Sequence, residues 1–150
     1  MADEPIFERR LDLAASLDSI AAAQEEIEAA ADGIIDGKAV FRLTMSVEEL
    51  MTNVVRHGCQ QGPIGVLILV TSQAFSVELS DGGPAYDPFS ETPAPALDAA
   101  LEDRPIGGLG VHLVRNMVDG VEYRRIDGQN VTRLTMLRTK PAADGEDACR

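Results

Sequence analysis

Hydrophobic and polar residues alternate in some parts of the chain and recur at helical spacing in others. Alternation over residues 7–13 and 75–79 predicts two strands that each bury one face. Apolar residues recur every three or four positions over residues 17–31 and 38–57, which predicts two amphipathic helices. The continuous apolar run at residues 66–70 predicts a strand that lies centrally in a sheet.

The C-terminal half of the chain shows the same two periods after a long irregular stretch. Residues 89–105 contain three prolines and no sustained period, and a loop of this length in a compact domain is usually functional or mobile. A helix is predicted at about 111–118, followed by strands at 121–125 and 131–137 that a turn at 127–128 joins. Together these elements predict an α+β fold, a two-layer sandwich in which helices cover one face of a mixed, largely antiparallel sheet of about five strands.

Length and composition indicate a single globular unit. The chain has 150 residues, of which 45% are hydrophobic, and this is enough for a substantial core. We expect one domain over residues 1–140 and a flexible tail over 141–150. The acidic cluster at residues 24–28 is expected to be a solvated helix face, and Arg9 departs from the alternation of the first strand.

Charge and targeting signals narrow the functional classes. The formal net charge of −12 argues against direct binding to DNA or RNA, because the phosphates would be repelled. No apolar run approaches the length of a membrane span and the N-terminus shows no signal-peptide pattern, so we expect a cytoplasmic protein with no membrane association. Cys59 and Cys149 lie far apart in sequence and are expected to be free thiols.

The first candidate binding group is a carboxylate at the end of a strand. Asp81 follows the strand at 75–79 and precedes two glycines and two prolines, which indicates a tight turn. A carboxylate held there suits a ligand that offers hydrogen-bond donors and approaches the backbone closely, such as an adenine ring. The alternative is that Asp81 only opens the turn.

Two further stretches carry candidate chemistry. Glu49 and Asn53 lie one helical turn apart, roughly opposite the apolar stripe of their helix, where they either line a ligand cleft or form a solvated polar face. His57 and Gly58 suit an ordinary helix end. The glycines of residues 107–110 precede a helix, where bare amides at the positive end of the helix dipole suit a phosphate; a plain flexible turn is the alternative.

Taken in chain order, the three stretches at residues 49–58, 81–88 and 107–110 resemble, in their order and separations, the N, G1 and G2 boxes of the GHKL ATP-binding superfamily. Within that superfamily they are most similar to the anti-sigma factor serine/threonine kinases, and the resemblance covers roughly residues 6–138. It implies the GHKL (Bergerat) ATP-binding fold, with ATP and Mg²⁺ as cofactors. It also implies that residues 89–105 are an ATP lid.

The resemblance implies a role for each matched residue. Glu49 would be the general base that accepts the proton of an attacking hydroxyl, and Asn53 would bind Mg²⁺ through its amide oxygen. Asp81 would accept a hydrogen bond from the adenine amine, and Gly83 would let the base approach. The other candidates for nucleotide binding are His57, Arg104, Gly107, Gly108, Leu109, Gly110 and Thr132.

The last strand departs from the family pattern. Many members begin it with a Gly-Thr pair, whereas this chain has the run GQNVT at residues 128–132. Thr132 is the candidate for an adenine contact from this strand.

The resemblance also implies partners. It indicates a homodimeric serine/threonine kinase that sequesters a sigma factor or a similar regulator and phosphorylates a serine of a small STAS-domain anti-anti-sigma protein. Two other classes stay open. One is an ATP-gated binding module that sequesters its partner without catalysis, and the other is a histidine-kinase-like ATPase module that acts on a separate chain.

Overall fold

The computed structural model describes residues 3–57, 62–91 and 108–138, which form five strands and four helices. The predicted tail at 141–150 and most of the predicted lid at 89–105 lie outside these residues. None of the described helices combines the length and the apolar character needed to cross a membrane. The strands are β1 (Phe7–Leu13), β2 (Ile64–Val70), β3 (Ala74–Asp81), β4 (Gly120–Ile126) and β5 (Gln129–Leu137), and the helices are α1 (Asp18–Ala31), α2 (Gly37–His57), α3 (Pro88–Glu91) and α4 (Gly108–Met117).

The strands form one sheet in the order β1-β2-β3-β5-β4, and all neighbouring pairs of these described strands are antiparallel. The predicted two-layer α+β fold with a largely antiparallel sheet is confirmed, and all pairs of the described strands are antiparallel. The predicted turn between β4 and β5 is also present. Its central residues, Asp127 and Gly128, have φ angles of 50° and 79°, the left-handed conformation that matches the twist of a hairpin.

The register of the central strands puts their apolar residues on one face. Val77 pairs with Leu134, and Phe75 pairs with Met136 across β3 and β5. These side chains join the apolar faces of α1, α2 and α4 in one core, since the burial of large apolar side chains is the main driving force for folding. The largest fully buried side chains are Ile27, Leu43, Met51, Ile64, Ile68, Phe75, Leu134 and Met136.

The opposite face of the sheet carries charges. Glu78 on β3 accepts a hydrogen bond of 2.7 Å from Nε of Arg133 on β5, and its Oε2 lies 3.2 Å from a guanidinium nitrogen of Arg124 on β4. The described helices pack against the other face, whose apolar side chains form the core.

Arg9 interrupts the alternation of apolar and polar residues in β1, and the fold explains this exception. Its position pairs with Ile68, on the core side of the sheet, and its Nε lies 2.5 Å from Oε1 of Glu26 on α1. The acidic cluster of α1 is therefore not simply a solvated face at Glu26. Both side chains are well exposed, so the pair contributes only about 0–1 kcal/mol to stability.

The same register places polar residues at one end of the core-facing side. Leu79 pairs with Thr132, and Asp81 pairs with Asn130. Because side chains two residues apart point to the same face of a strand, Asp81, Asn130 and Thr132 share the face that carries the helices. The candidate site is built at this end of the sheet.

Candidate active site

An open cleft, with about 370 Å³ of empty space that includes solvent at its mouth, lies between α2 and the ends of β3 and β5. It brings together three residues that the sequence analysis singled out: Asn53, Asp81 and Thr132. Its full lining is Leu50, Asn53, Val54, Leu79, Asp81, Tyr86, Pro88, Asn130 and Thr132.

Asp81 is 8% exposed and is held by two donors. Its Oδ1 accepts hydrogen bonds from the backbone N–H of Gly83, at 2.9 Å, and from Nδ2 of Asn130, at 3.1 Å. Among the described residues, no donor contacts Oδ2. Asp81 therefore opens the turn and also offers a free acceptor oxygen in a carboxylate that lines the cleft, so the two interpretations of this residue are compatible.

Gly83 is buried beside this carboxylate, and Thr132 and Asn53 add polar groups to the lining of the cleft. Thr132 is 8% exposed and lies next to Leu79 on the paired strand. Asn53 is half-buried on α2. The polar face of α2 thus lines a cleft at this point rather than facing solvent alone.

Asn130 is the residue that the sequence analysis missed. Its side chain is buried and makes hydrogen bonds with the turn after β3 and with side chains of β4. In the sequence it appeared only as part of a departure from the family's Gly-Thr pair. A signal was present in the hairpin turn at 127–128, which fixes the register of β4 with β5, but the pairing of Asn130 with Asp81 belongs to β3 and β5, which are distant in sequence.

Glu49 lies on α2 one turn before Asn53, which is about 6 Å along the helix axis. Its carboxylate is half-buried, and Oε2 has no hydrogen-bond partner among the described residues. Burial raises the pKa of Glu49 above its ordinary value of 4.5; Arg56 opposes this effect and Glu48 adds to it. A half-buried carboxylate with one unpartnered oxygen favours proton uptake, which is the property that a general base requires.

Gly110 explains how α4 approaches this carboxylate. A Cβ atom at Gly110 would overlap the carboxylate of Glu49. A larger residue there would displace the Glu49 side chain, so glycine permits the close packing of α4 against α2, and the packing brings the first and last of the three stretches along the chain into contact. The contact also excludes water from one side of Glu49.

Four of the predicted site residues lie wholly or partly outside the described part of the chain. Arg104 and Gly107 lie outside the described residues, as do the side chains of His57 and Leu109. Gly108 is the first residue of α4, so the predicted glycine stretch does lead into a helix N-terminus.

Phe89, the first residue of the predicted lid, contacts Arg115 on α4. The guanidinium of Arg115 lies 5.2 Å from the centre of the Phe89 ring, and its Nη2 donates to the carbonyl oxygen of Phe89 at 3.5 Å. This cation–π contact ties α3 to the helix that carries Gly110. These contacts hold α3, which begins at the cleft residue Pro88, against α4.

Comparison with known proteins identifies the family of this chain. The family model for the histidine kinase-like ATPase domain matches residues 13–136. The chain belongs to this family. Its relatives include the serine/threonine-protein kinase BtrW of Bordetella bronchiseptica, which is 34% identical over 63% of this chain and 68% of the relative.

A second group of relatives is named for the same activity. The serine-protein kinase RsbW of Listeria monocytogenes is 28% identical over 69% of this chain and 69% of its own length. These relatives place the chain among the protein serine/threonine kinases with an ATP-binding domain, which confirms the resemblance that the three stretches suggested.

A solved structure shows the same fold. The RsbU and RsbW domains of a Mycobacterium tuberculosis protein superpose with a TM-score of 0.64 at 16% sequence identity over 92% of this chain. This chain spans only 34% of that solved chain, so the match concerns the fold of one part of it.

Proposed function

We propose that this chain binds Mg·ATP in the cleft and transfers the γ-phosphoryl group to a serine hydroxyl of a small STAS-like anti-anti-sigma protein. In this proposal a homodimer of the chain also sequesters a sigma factor or a similar regulator. The observation that carries the proposal is the pairing of two carboxylates with different surroundings. Asp81 offers a free oxygen within the cleft, and Glu49 holds an unpartnered, buried oxygen one helical turn before Asn53, which lines that cleft.

The cleft suits an adenine ring. Leu50, Val54 and Leu79 offer apolar surface to the faces of a flat base, and the free Oδ2 of Asp81 accepts from an exocyclic amine. The hydroxyl of Thr132 gives a second polar contact on the same side. Buried polar groups discriminate strongly between ligands, since a mismatched ligand leaves them unpaired.

Glu49 is assigned as the general base. Its pKa is raised by burial, and a base with a raised pKa takes up a proton from a hydroxyl more readily than an ordinary surface carboxylate does. Arg56 opposes this rise in the pKa of Glu49 through its positive charge. The exposed neighbour Glu48 points about 100° away around the helix axis and is not placed to take this role.

The phosphates are assigned to the N-terminal turn of α4. The backbone amides that follow Gly108 have no partner within the helix, and the helix dipole favours an anion at this end. Gly110 leaves this turn free of a side chain next to Glu49. Arg104 and Gly107 are proposed to contribute from the segment outside the described residues, together with His57 and Leu109.

Asn53 is proposed to hold Mg²⁺ through its amide oxygen. A single neutral oxygen ligand suits this ion, because Mg²⁺ in nucleotide sites keeps several waters and takes its other ligands from phosphates. When bound, the ion neutralises charge on the phosphates during transfer. Asn53 lines the cleft one turn from Glu49, so the residue present fits the group.

The test is a kinase assay with matched variants of neighbouring carboxylates. Glu49→Gln should lower phosphoryl transfer to a candidate STAS-domain protein by roughly a hundredfold or more, because general-base catalysis is worth about 10²–10⁴ in rate. ADP affinity should stay close to that of the wild type, since Glu49 does not line the cleft. Glu48→Gln, which alters an exposed carboxylate on the same helix turn, should leave transfer unchanged.

The assay is read by mass spectrometry of the phosphorylated residue. Phosphoserine that depends on Glu49 supports the proposal. Phosphohistidine would point instead to a histidine-kinase-like module, and unchanged transfer in Glu49→Gln would remove the assignment of the base. Partner sequestration without any transfer by the wild type would indicate a non-catalytic binding module.

A further inference from the structure

The loop of residues 82–87 joins β3 to α3 without regular secondary structure, and its residue Tyr86 lines the cleft. The backbone groups of such a loop receive no partners from a helix or a sheet ladder, so side chains often supply them. Here Nδ2 of Asn130 donates to the carbonyl oxygen of Pro84, at 2.9 Å. Its Oδ1 accepts from the backbone N–H of Tyr86, at 3.1 Å. A side chain of β5 therefore holds the loop at two points.

Arg125 on β4 holds the same loop at a further point. Its Nη1 donates to the carbonyl oxygen of Gly83, at 2.8 Å, and to Oδ1 of Asn130, at 3.1 Å. The backbone N–H of Gly83 donates to Oδ1 of Asp81, at 2.9 Å. Since the N–H and the C=O of Gly83 both have partners, the two peptide planes that meet at this residue are fixed in direction.

The register of the sheet gives Arg125 this position. Arg125 pairs with Asn130 across β4 and β5, and Asn130 pairs with Asp81 across β5 and β3. Residues that are directly opposite on paired strands have neighbouring side chains, so the three form a row that ends at the cleft. Arg125 itself is exposed and is not among the described residues that line the cleft.

We propose that Arg125 is a positioning residue for nucleotide binding, which holds residues 83–86 in the shape that the cleft requires before the nucleotide arrives. This inference rests on the proposed function, because it requires the cleft to bind a nucleotide. A loop that is ordered in advance does not have to lose conformational entropy on binding. Without the bonds of Arg125, a smaller fraction of molecules holds the competent loop, and the apparent Kd rises as that fraction falls.

A general attraction between a cation and an anionic nucleotide is the competing explanation. Arg124 provides the matched control, because it carries the same charge on the same strand. Its side chain lies on the other face of the sheet, where a guanidinium nitrogen is 3.2 Å from Oε2 of Glu78. Arg124→Met and Arg125→Met change the net charge equally, but of the two residues Arg125 is the one that bonds to the loop.

The main variant is Arg125→Met, which keeps an unbranched side chain and removes every donor. Because the position is exposed, the variant should fold with a Tm close to that of the wild type. Its Kd for ADP should rise by roughly five- to thirtyfold. Arg125→Lys should restore part of the loss, because both bonds come from one nitrogen and an ammonium group also offers several donors from one atom. Arg124→Met should bind ADP as the wild type does.

Two further measurements distinguish positioning from direct contact with the nucleotide. In hydrogen exchange followed by mass spectrometry without nucleotide, the loop of residues 82–87 should exchange faster in Arg125→Met than in the wild type or in Arg124→Met. In stopped-flow experiments with a fluorescent ADP analogue, the association rate constant should fall, because fewer molecules are competent to bind. Loss of a direct contact would instead raise the dissociation rate constant.

The outcomes separate this inference from the proposed function. Weaker and slower ADP binding by Arg125→Met, faster loop exchange and partial rescue by lysine support the role of Arg125. An unchanged Kd, an equal loss in Arg124→Met, or a loss that lies wholly in the dissociation rate constant overturns this role and leaves the nucleotide site standing. A wild type that does not bind ADP overturns the proposed function and this role together.

Discussion

Glu49→Gln should stabilise the protein at neutral pH. The carboxylate of Glu49 is half-buried, one of its oxygens has no partner in the described part of the chain, and α4 covers it at Gly110. Burial raises the pKa of Glu49 in the folded state above that in the unfolded state. Folding therefore disfavours the charged form. This cost is complete at pH values above the folded pKa and vanishes below the unfolded pKa, where the group is protonated in both states.

The expected gain in the free energy of unfolding is modest. A buried polar group without a partner costs about 1–3 kcal/mol, and a charged group costs more. Glu49 retains some contact with solvent and is influenced by Arg56, so the low end applies, and removal of the charge should contribute about 1 kcal/mol. For a domain of this size that free energy corresponds to a rise in Tm of about 2–4 °C.

The assay compares thermal unfolding of the wild type, Glu49→Gln and Glu48→Gln at neutral pH and at about pH 4, below the ordinary carboxyl pKa. Glu49→Gln should unfold at the higher temperature at neutral pH, and its difference from the wild type should shrink at the acidic pH. Glu48→Gln should show no such gain, since Glu48 is exposed. A lower Tm for Glu49→Gln at neutral pH, or a gain of equal size at both pH values, would refute the reasoning, because it would mean that the folded state stabilises the ionised carboxylate.

Two further variants test the packing around the site. Gly110→Ala should displace the Glu49 carboxylate and lower phosphoryl transfer by roughly tenfold to a hundredfold, because small errors in the position of a catalytic group are costly. The control is Leu113→Ala, at an exposed position on the same helix. Equal activity of the two variants would contradict the prediction. Leu134→Ala should lower the free energy of unfolding by about 2–5 kcal/mol in urea titrations, since the Leu134 side chain is fully buried in the core. Ile126→Ala, at an exposed position of β4, should lower it much less. Similar losses for the two variants would place Leu134 outside the core.

Much of the fold follows from local patterns. The periods of α1, α2, β2 and β3 predicted these elements to within a few residues, because a helix or strand that buries one face must repeat apolar residues at its own spacing. The hairpin at 127–128 was also predictable, because the backbone angles of its turn favour aspartate and glycine. The three functional stretches were recognisable from their residues and their order.

Other features depended on what packs against each element. The polar face of α2 satisfied two interpretations equally well, since a period shows which residues share a face but not what covers that face. The contact between Gly110 and Glu49 decided that α4 covers it, and this contact joins residues that are 61 positions apart in sequence. The ion pair of Arg9 with Glu26 likewise depends on where α1 lies over the sheet.

Asn130 shows most clearly what could not be predicted from the sequence. By itself the sequence determined the elements, the hairpin and the three stretches, because these depend on residues that are neighbours along the chain. Only the tertiary structure decided that Asn130 faces Asp81, since the pairing of β3 with β5 brings together strands that 47 residues separate, from Asp81 to Gln129. Hydrogen bonds depend on distance and direction in space, and the long-range register that sets both is a property of the whole sheet.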